Sequence, residues 1–324
     1  MTKLNCFSIV TQFLYSASHL LVFHCELIRL KHQKSGAMFM EIDANTRITG
    51  ILGHPIHHSL SPLMHNTAFK HLDLNYVYLP FDVKPEDLKG AINAIRCMNI
   101  VGVNLTIPHK ERVIAHLDRI DTEAELIGAV NTVKNIDSEL VGFNTDGQGF
   151  LESLKNDLGF SPKGKSILMV GAGGAARGIL VTLALGGAQK ISITNRTYNR
   201  SEKLIEEFSD RFPSVKFSAL PLDNNALKNC LGNTDLLINT SSVGMSGDSL
   251  KLPLDHLPES AIIYDIVYNP FKTSLLREAE EAGLTTHNGL GMLVFQGALS
   301  FKIWTDVDAP VKLMKEILTE RLFV

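Results

Sequence analysis

The chain has 324 residues, with 31 Lys+Arg against 34 Asp+Glu, a formal charge of -3, and 45% hydrophobic against 20% charged residues, the profile of an ordinary globular protein. Balanced charge without a local basic patch argues against nucleic acid and anionic membranes as partners. At about 100–200 residues per domain, the length predicts two domains with a cleft between them. The four cysteines, Cys6, Cys25, Cys97 and Cys230, show neither CxxC pairing nor metal-ligand spacing, which fits a reducing compartment and predicts a cytoplasmic protein.

Residues 1–40 differ in texture from the rest. Cys6 to Leu30 is apolar and aromatic-rich but broken by Gln12, Ser16, Ser18, His19, His24 and Glu26, so it falls short of the ~20 apolar residues a membrane span needs. The same interruptions argue against a signal peptide. The expectation is an extension outside the fold, with the folded protein starting near Met38 or Met40 and a chain begun at Met40 keeping full activity.

From residue 47 onward, short β-branched runs alternate with amphipathic stretches, the pattern of parallel sheets wrapped by helices. The first round opens with a strand at 47–53 and a helix at Ser61-Pro62, read as a cap followed by proline at the first helical position. Strands at 76–79 and 101–106 follow, with helices over 85–98 and after Pro108. Gly128 to Gly147 reads as a hairpin turning at Asn135-Ile136-Asp137-Ser138. The second round has strands at 165–170, 190–194, 234–239 and 261–267. Helices at 291–304 and 311–323 close the chain and are expected to pack back on the first domain. The fold class is therefore α/β with two domains: a substrate domain of residues 41–146 plus 289–324 with a mainly parallel sheet, and a Rossmann-type domain of residues 147–288.

Val170-Gly171-Ala172-Gly173-Gly174-Ala175-Ala176 is a G-x-G-x-x-A fingerprint between a strand and a helix. Gly171 permits the turn, Gly173 lets backbone approach a pyrophosphate, and Ala176 allows close helix-on-strand packing. The helix N-terminus then offers free N–H groups and partial positive charge to phosphates. At the end of the next strand, where an NAD-binding unit usually carries Asp or Glu, stand Asn195-Arg196-Thr197, with Arg200 following. Guanidinium groups suit a 2′-phosphate, so the cofactor is read as NADP.

Polar clusters fall at strand ends, where open α/β sheets bind ligands: Ser59-Leu60-Ser61-Pro62, Asn104 to Lys110, Ala129 to Thr132, Asn144 to Gly147, and Asn288 to Gln296. Together with the glycine loop, in this order over residues 47 to 310, they closely resemble the shikimate dehydrogenase family. The resemblance implies reversible hydride transfer between NADP(H) and 3-dehydroshikimate or shikimate, on the route to aromatic amino acids. It further implies that Ser59 and Ser61 hold the substrate carboxylate with help from Tyr268, and that Asn104, Thr106, Asn131, Asp146 and Gln296 bind the ring hydroxyls. Lys110 and Asp146 match the catalytic pair. Gly171, Ala172, Gly173, Gly174, Ala175, Asn195, Arg196, Thr197 and Arg200 match the cofactor clamp, and Ile266, Gly289 and Met292 match contacts near the nicotinamide. Leu60 and His109 depart from the residues common at their positions, without removing a functional group.

Reducing a ketone needs a proton on oxygen and stabilisation of the negative charge developing there. A cationic Lys110 can supply both, and a nearby Asp146 favours that charge. Alcohol oxidation requires the neutral amine, so oxidation is expected to quicken toward alkaline pH while reduction does not. His109, next to Lys110, is a rival proton donor. His54, His57, His58 and His65 invite a metal, but no cysteine or carboxylate joins them at ligand spacing and none is expected. The expected partner is a small-molecule substrate, with a homodimer left open. Two other functions stay in view: a dehydrogenase of wider range that also takes quinate, and a catalytically silent NADP-binding protein.

Overall fold

The computed structural model describes residues 42–323. Its contacts separate Met1–Ala44 from Asn45–Val324, and the expectation for residues 1–40 lies outside the described residues. From Asn45 onward two six-stranded sheets account for every strand described.

The first sheet begins with β1 (Arg47–Gly53), α1 (Ser61–His71), β2 (Tyr76–Asp82), α2 (Leu88–Cys97) and β3 (Gly102–Leu105). Helix α2 turns Leu88, Ile92 and Ile95 inward, the i, i+4, i+7 spacing of one helical face. Then come the two-residue β4 (Arg119–Ile120), α3 (Thr122–Ile127), and the hairpin β5 (Thr132–Ile136) to β6 (Glu139–Phe143). Asp137 and Ser138 at its turn have φ of 51° and 73°, both left-handed, as a tight two-residue hairpin requires. The strand order is β2-β1-β3-β5-β6-β4. β1 runs parallel to β2 and β3, and β4 to β6, while β5 is antiparallel to both its neighbours.

The second sheet comprises β7 (Ser166–Val170), β8 (Lys190–Thr194), β9 (Lys216–Leu220), β10 (Leu236–Asn239), β11 (Ile262–Asp265) and β12 (Thr285–Asn288). Its order, β12-β11-β10-β7-β8-β9, is parallel throughout and has the doubly wound reversal between β10 and β7. Helices α4 (Asp146–Leu158), α5 (Gly174–Leu185), α6 (Tyr198–Ser209), α7 (Asn224–Leu231) and α8 (Ser274–Glu281) complete this part. The chain then returns through α9 (Leu290–Thr305) and α10 (Val311–Leu322). As the sequence pattern predicts, Val294, Phe301, Trp304, Met314 and Leu318 from these two helices join the first sheet's core with Ile51, Met64 and Tyr78. No helix among the described residues is long and apolar enough to cross a membrane.

The structure corrects several expectations. Ser61 is the first residue of α1 and not its cap; Leu60 is the cap residue, without a side-chain hydrogen bond. The Ser59 hydroxyl accepts the Ser61 N–H at 3.3 Å, and Pro62 has no N–H to offer, so a serine cap at 61 has fewer donors to satisfy. After Pro108 there is only a 3₁₀ turn, Arg112–His116. The polar edge strand β12 and the strands β4 and β9 were not anticipated. β4 is too short to show alternation, and β12 carries Thr-Thr-His-Asn, with no apolar face to read.

Candidate active site

Strand direction gathers the polar residues. Asn104 lies toward the end of β3 and pairs in register with Thr132 at the start of β5, which pairs in turn with Phe143 at the end of β6. Because β5 is antiparallel to both, the end of β3, the start of β5 and the end of β6 share one edge. Asn104, Asn131 and the Asn144-Thr145-Asp146 turn therefore meet there, all buried.

Asp146 is the first residue of α4, where the helix N-terminus favours a carboxylate. Its Oδ2 receives Lys110 Nζ at 2.5 Å and its Oδ1 receives Asn131 Nδ2 at 2.9 Å. The lysine side chain is 17% exposed and the aspartate 6%, so the pair is largely shielded, with the lysine the more open of the two. Asn131 is held from several sides. Its Oδ1 accepts from the Thr145 N–H at 2.8 Å and from Thr132 Oγ1 at 3.0 Å, and its Nδ2 also reaches Thr145 Oγ1 at 2.9 Å. Gln296 Oε1 is 3.5 Å from the same nitrogen, and Gln296 Nε2 donates to Leu293 O at 2.8 Å.

Asn104 Nδ2 faces Asn131 O, Thr132 Oγ1 and Ser300 Oγ at 3.1, 3.1 and 3.0 Å, while its Oδ1 accepts from Tyr78 Oη at 2.7 Å. Thr132 and Thr145 fall inside clusters visible in the sequence, but Ser300 and Tyr78 were not anticipated. Ser300 could have been found, because it lies one helical turn after Gln296 and so shares its face of α9. Thr106 is half-buried, with its N–H on Leu52 O at 2.9 Å. Ser61 is buried and Ser59 half-buried at the start of α1. Tyr268 packs among residues of the first sheet's core, and burial pushes its phenol pKa up.

His109 makes its hydrogen bond to backbone and not to the Lys110–Asp146 pair. Its ring is buried, with Nε2 2.7 Å from Val83 O, so its one N–H in the neutral form is spent on backbone. Burial also lowers its pKa, with only a partial offset from that hydrogen bond. The histidine group is likewise dispersed. His65 is buried among aromatic rings, whereas His54 and His57 approach Asp82 at 2.8 and 3.7 Å, a carboxylate that sequence spacing did not place with them.

On the second sheet every strand runs the same way, so the segments after β7, β8, β11 and β12 share an edge. Gly171 after β7 has φ of +117°, open to glycine alone at little cost. A Cβ on Gly173 would meet nothing within 4 Å, so the backbone there stands open to close approach. Ala172 packs at the margin of the core and Ala176 is fully buried in it, while Gly174 and Ala175 open helix α5. Asn195 follows β8 and donates to Thr197 O at 2.9 Å. Arg196, Thr197 and Arg200 are exposed, and among the described residues neither arginine makes an ion pair. Gly289 lies against Ile266, whose carbonyl oxygen would be 1.9 Å from an added Cβ. Met292 is buried one turn into α9.

Elements of the two sheets meet at Lys110. A Cβ on Gly174 would lie 3.7 Å from the Lys110 side chain, so the glycine loop borders the lysine. Arg177 of α5 donates from Nε to Ile127 O at 2.6 Å and pairs with Glu207 on α6.

A doubly wound parallel sheet with an open glycine turn, set against a buried lysine–aspartate pair, defines an α/β oxidoreductase that uses a dinucleotide. Three family descriptions match along the chain: the shikimate dehydrogenase substrate binding domain at residues 51–133, shikimate / quinate 5-dehydrogenase at 153–246, and the shikimate 5'-dehydrogenase C-terminal domain at 289–319. The shikimate dehydrogenase (NADP(+)) of Methanopyrus kandleri is 49% identical, covering 87% of this chain and 98% of its own. A crystal structure of a shikimate dehydrogenase in complex with NADP+ superposes with a TM-score of 0.81 at 42% identity, covering 89% of this chain and 99% of that one. The Thermus thermophilus enzyme in complex with NADP(H) and shikimate gives 0.76 at 39% identity, with coverage of 85% and 99%. The chain belongs to the shikimate dehydrogenase family.

Proposed function

We infer that the protein catalyses the reversible NADP-dependent reduction of 3-dehydroshikimate to shikimate in the cytoplasm. The observation that carries this reading is Lys110, hydrogen-bonded to buried Asp146 and bordered by the glycine loop. Residues 41–146 with 289–324 form the substrate half in this reading, and residues 147–288 the cofactor half.

The open backbone at Gly173 and the positive φ of Gly171 fit a dinucleotide pyrophosphate, and the exposed Arg196 and Arg200 fit a 2′-phosphate. NADPH, when bound, supplies the hydride. Gly171, Ala172, Gly173, Gly174 and Ala175 would hold its pyrophosphate, with Asn195, Arg196, Thr197 and Arg200 at the adenosine end and Ile266, Gly289 and Met292 toward the nicotinamide.

Lys110 presents its ammonium to the ketone oxygen, offsets the charge developing there and delivers the proton. Asp146 holds the lysine in place, while Asn131, bonded to the same carboxylate, fixes the aspartate in turn. Ser59 and Ser61 bind the substrate carboxylate with Tyr268, and Asn104, Thr106, Asn131, Asp146 and Gln296 read the ring hydroxyls. In oxidation the same lysine takes up the proton of the substrate alcohol. The test is the appearance of reduced nicotinamide with shikimate or quinate, each paired with NADP or NAD. Turnover confined to shikimate with NADP is expected. Equal turnover of quinate or use of NAD would shift the specificity, and no turnover with any pair would overturn the reading.

A further inference from the structure

Asn104 has its amide nitrogen wholly engaged inside the protein: two hydrogens face three acceptors, on Asn131, Thr132 and Ser300. Its oxygen already accepts from Tyr78. A primary amide carries two donor hydrogens and two acceptor lone pairs, so one lone pair is left over and no donor. Both ends of this arrangement are themselves anchored. Tyr78 is fully buried and its ring stacks on His65 with centroids 4.3 Å apart. Burial lowers the His65 pKa to about 3 and raises that of the Tyr78 phenol well above its ordinary value. The histidine is therefore a neutral stacking partner and the phenol stays protonated, able to donate. On the other side, Ser300 Oγ donates to Gln296 O at 3.0 Å, which leaves its lone pairs to accept from Asn104.

We propose that Tyr78 and Ser300 are positioning residues that clamp the two ends of the Asn104 amide, so that the site accepts a hydrogen bond from a substrate hydroxyl and donates none at that point. The proposal rests on the reading of the site as one for a shikimate-type ring and sharpens it. A ring carbon facing Asn104 must carry a hydrogen-bond donor, and a substituent that only accepts, such as fluorine, leaves the asparagine oxygen facing an electronegative atom. Tyr78 and Ser300 touch no substrate in this scheme; they act through Asn104.

The test is steady-state shikimate oxidation with NADP by the full chain, by Tyr78→Phe and Ser300→Ala, and by each combined with Asn104→Ala. It also uses shikimate analogues in which one hydroxyl that is not oxidised is replaced by fluorine. Losing one oriented hydrogen bond should raise the KM for shikimate about fivefold to tenfold in Tyr78→Phe and at least about threefold in Ser300→Ala, with the KM for NADP unchanged. In the Asn104→Ala background either substitution should add less than about twofold. At least one fluorinated analogue should lose more than about tenfold in kcat/KM with the unaltered protein, and less with Tyr78→Phe. Full multiplication of the single effects in the double variants, a parallel rise in the KM for NADP, or equal turnover of all fluorinated analogues would overturn the proposal. Tyr78→Phe keeps the stacked ring; if it does not fold, Ser300→Ala carries the same comparison. Absence of shikimate turnover by the unaltered protein would instead strike the functional reading itself, and it is seen before any substitution is made.

Discussion

Around Asp146 the polar side chains are buried and bonded to one another, whereas after β8 Arg196 and Arg200 stand exposed and unpaired among the described residues. The contrast suits the roles proposed for the two regions. Where charge develops on a reacting oxygen, donors already fixed in a shielded site need no rearrangement at the moment of reaction. A phosphate that stays charged and solvated throughout can be gripped by mobile guanidinium groups, at the cost of sensitivity to salt.

Substitutions at the two regions should separate cleanly. Lys110→Ala is expected to lower kcat about a hundredfold or more, since it removes a positioned acid, while the KM for NADP changes little in initial-rate kinetics. Unchanged turnover would take the lysine out of the chemistry. At the exposed region, Arg196→Asp should cut the preference for NADP over NAD by about tenfold or more, with the KM for shikimate preserved. An unaltered ratio of kcat/KM for the two cofactors would dismiss Arg196 from the clamp.

Two carboxylates, buried Asp265 and half-buried Asp157, sharpen the comparison, because their environments leave them shifted in opposite directions. Burial raises Asp265, and hydrogen bonds from Thr273, the Val267 N–H and Asn239 reverse only part of that, leaving its pKa at about 6. Raised above its unfolded value, it contributes stability that is present below about pH 4 and lost as pH rises through about 6. Asp265→Asn should therefore gain about 2–3 kcal/mol relative to the unaltered protein between pH 4 and 7, measured by urea unfolding across that range; a constant difference would refute the assignment. Asp157 is also pushed up by burial, but hydrogen bonds from His287, Lys315 and Ser153 outweigh this and bring it to about 2. Its stabilisation is present above about pH 4 and disappears as pH falls through about 2. Asp157→Asn should cost up to about 2 kcal/mol at neutral pH and progressively less in acid, and a cost that persists at pH 2 would count against the charge argument.

Much of this was legible in the residues. Alternating runs located the main strands, and the glycine fingerprint located the turn after β7 because only glycine tolerates its backbone angle. Lys110 and Asp146, 36 residues apart, were paired through the family resemblance, and the structure joins them. What escaped depends on contacts that spacing does not encode. Tyr78 reads as one more strand aromatic until its hydroxyl is seen on Asn104, and Ser61 reads as a cap until Ser59 is seen taking its N–H. Asp82 meets His54 and His57 only because β1 and β2 lie side by side.

The tie from Arg177 to the Ile127 carbonyl joins the helix that opens at the glycine loop to the segment leading into Asn131. Any coupling carried through that tie is reciprocal, because thermodynamic linkage makes the factor the same in both directions. Each dissociation constant should therefore change by one shared ratio when the other site is filled.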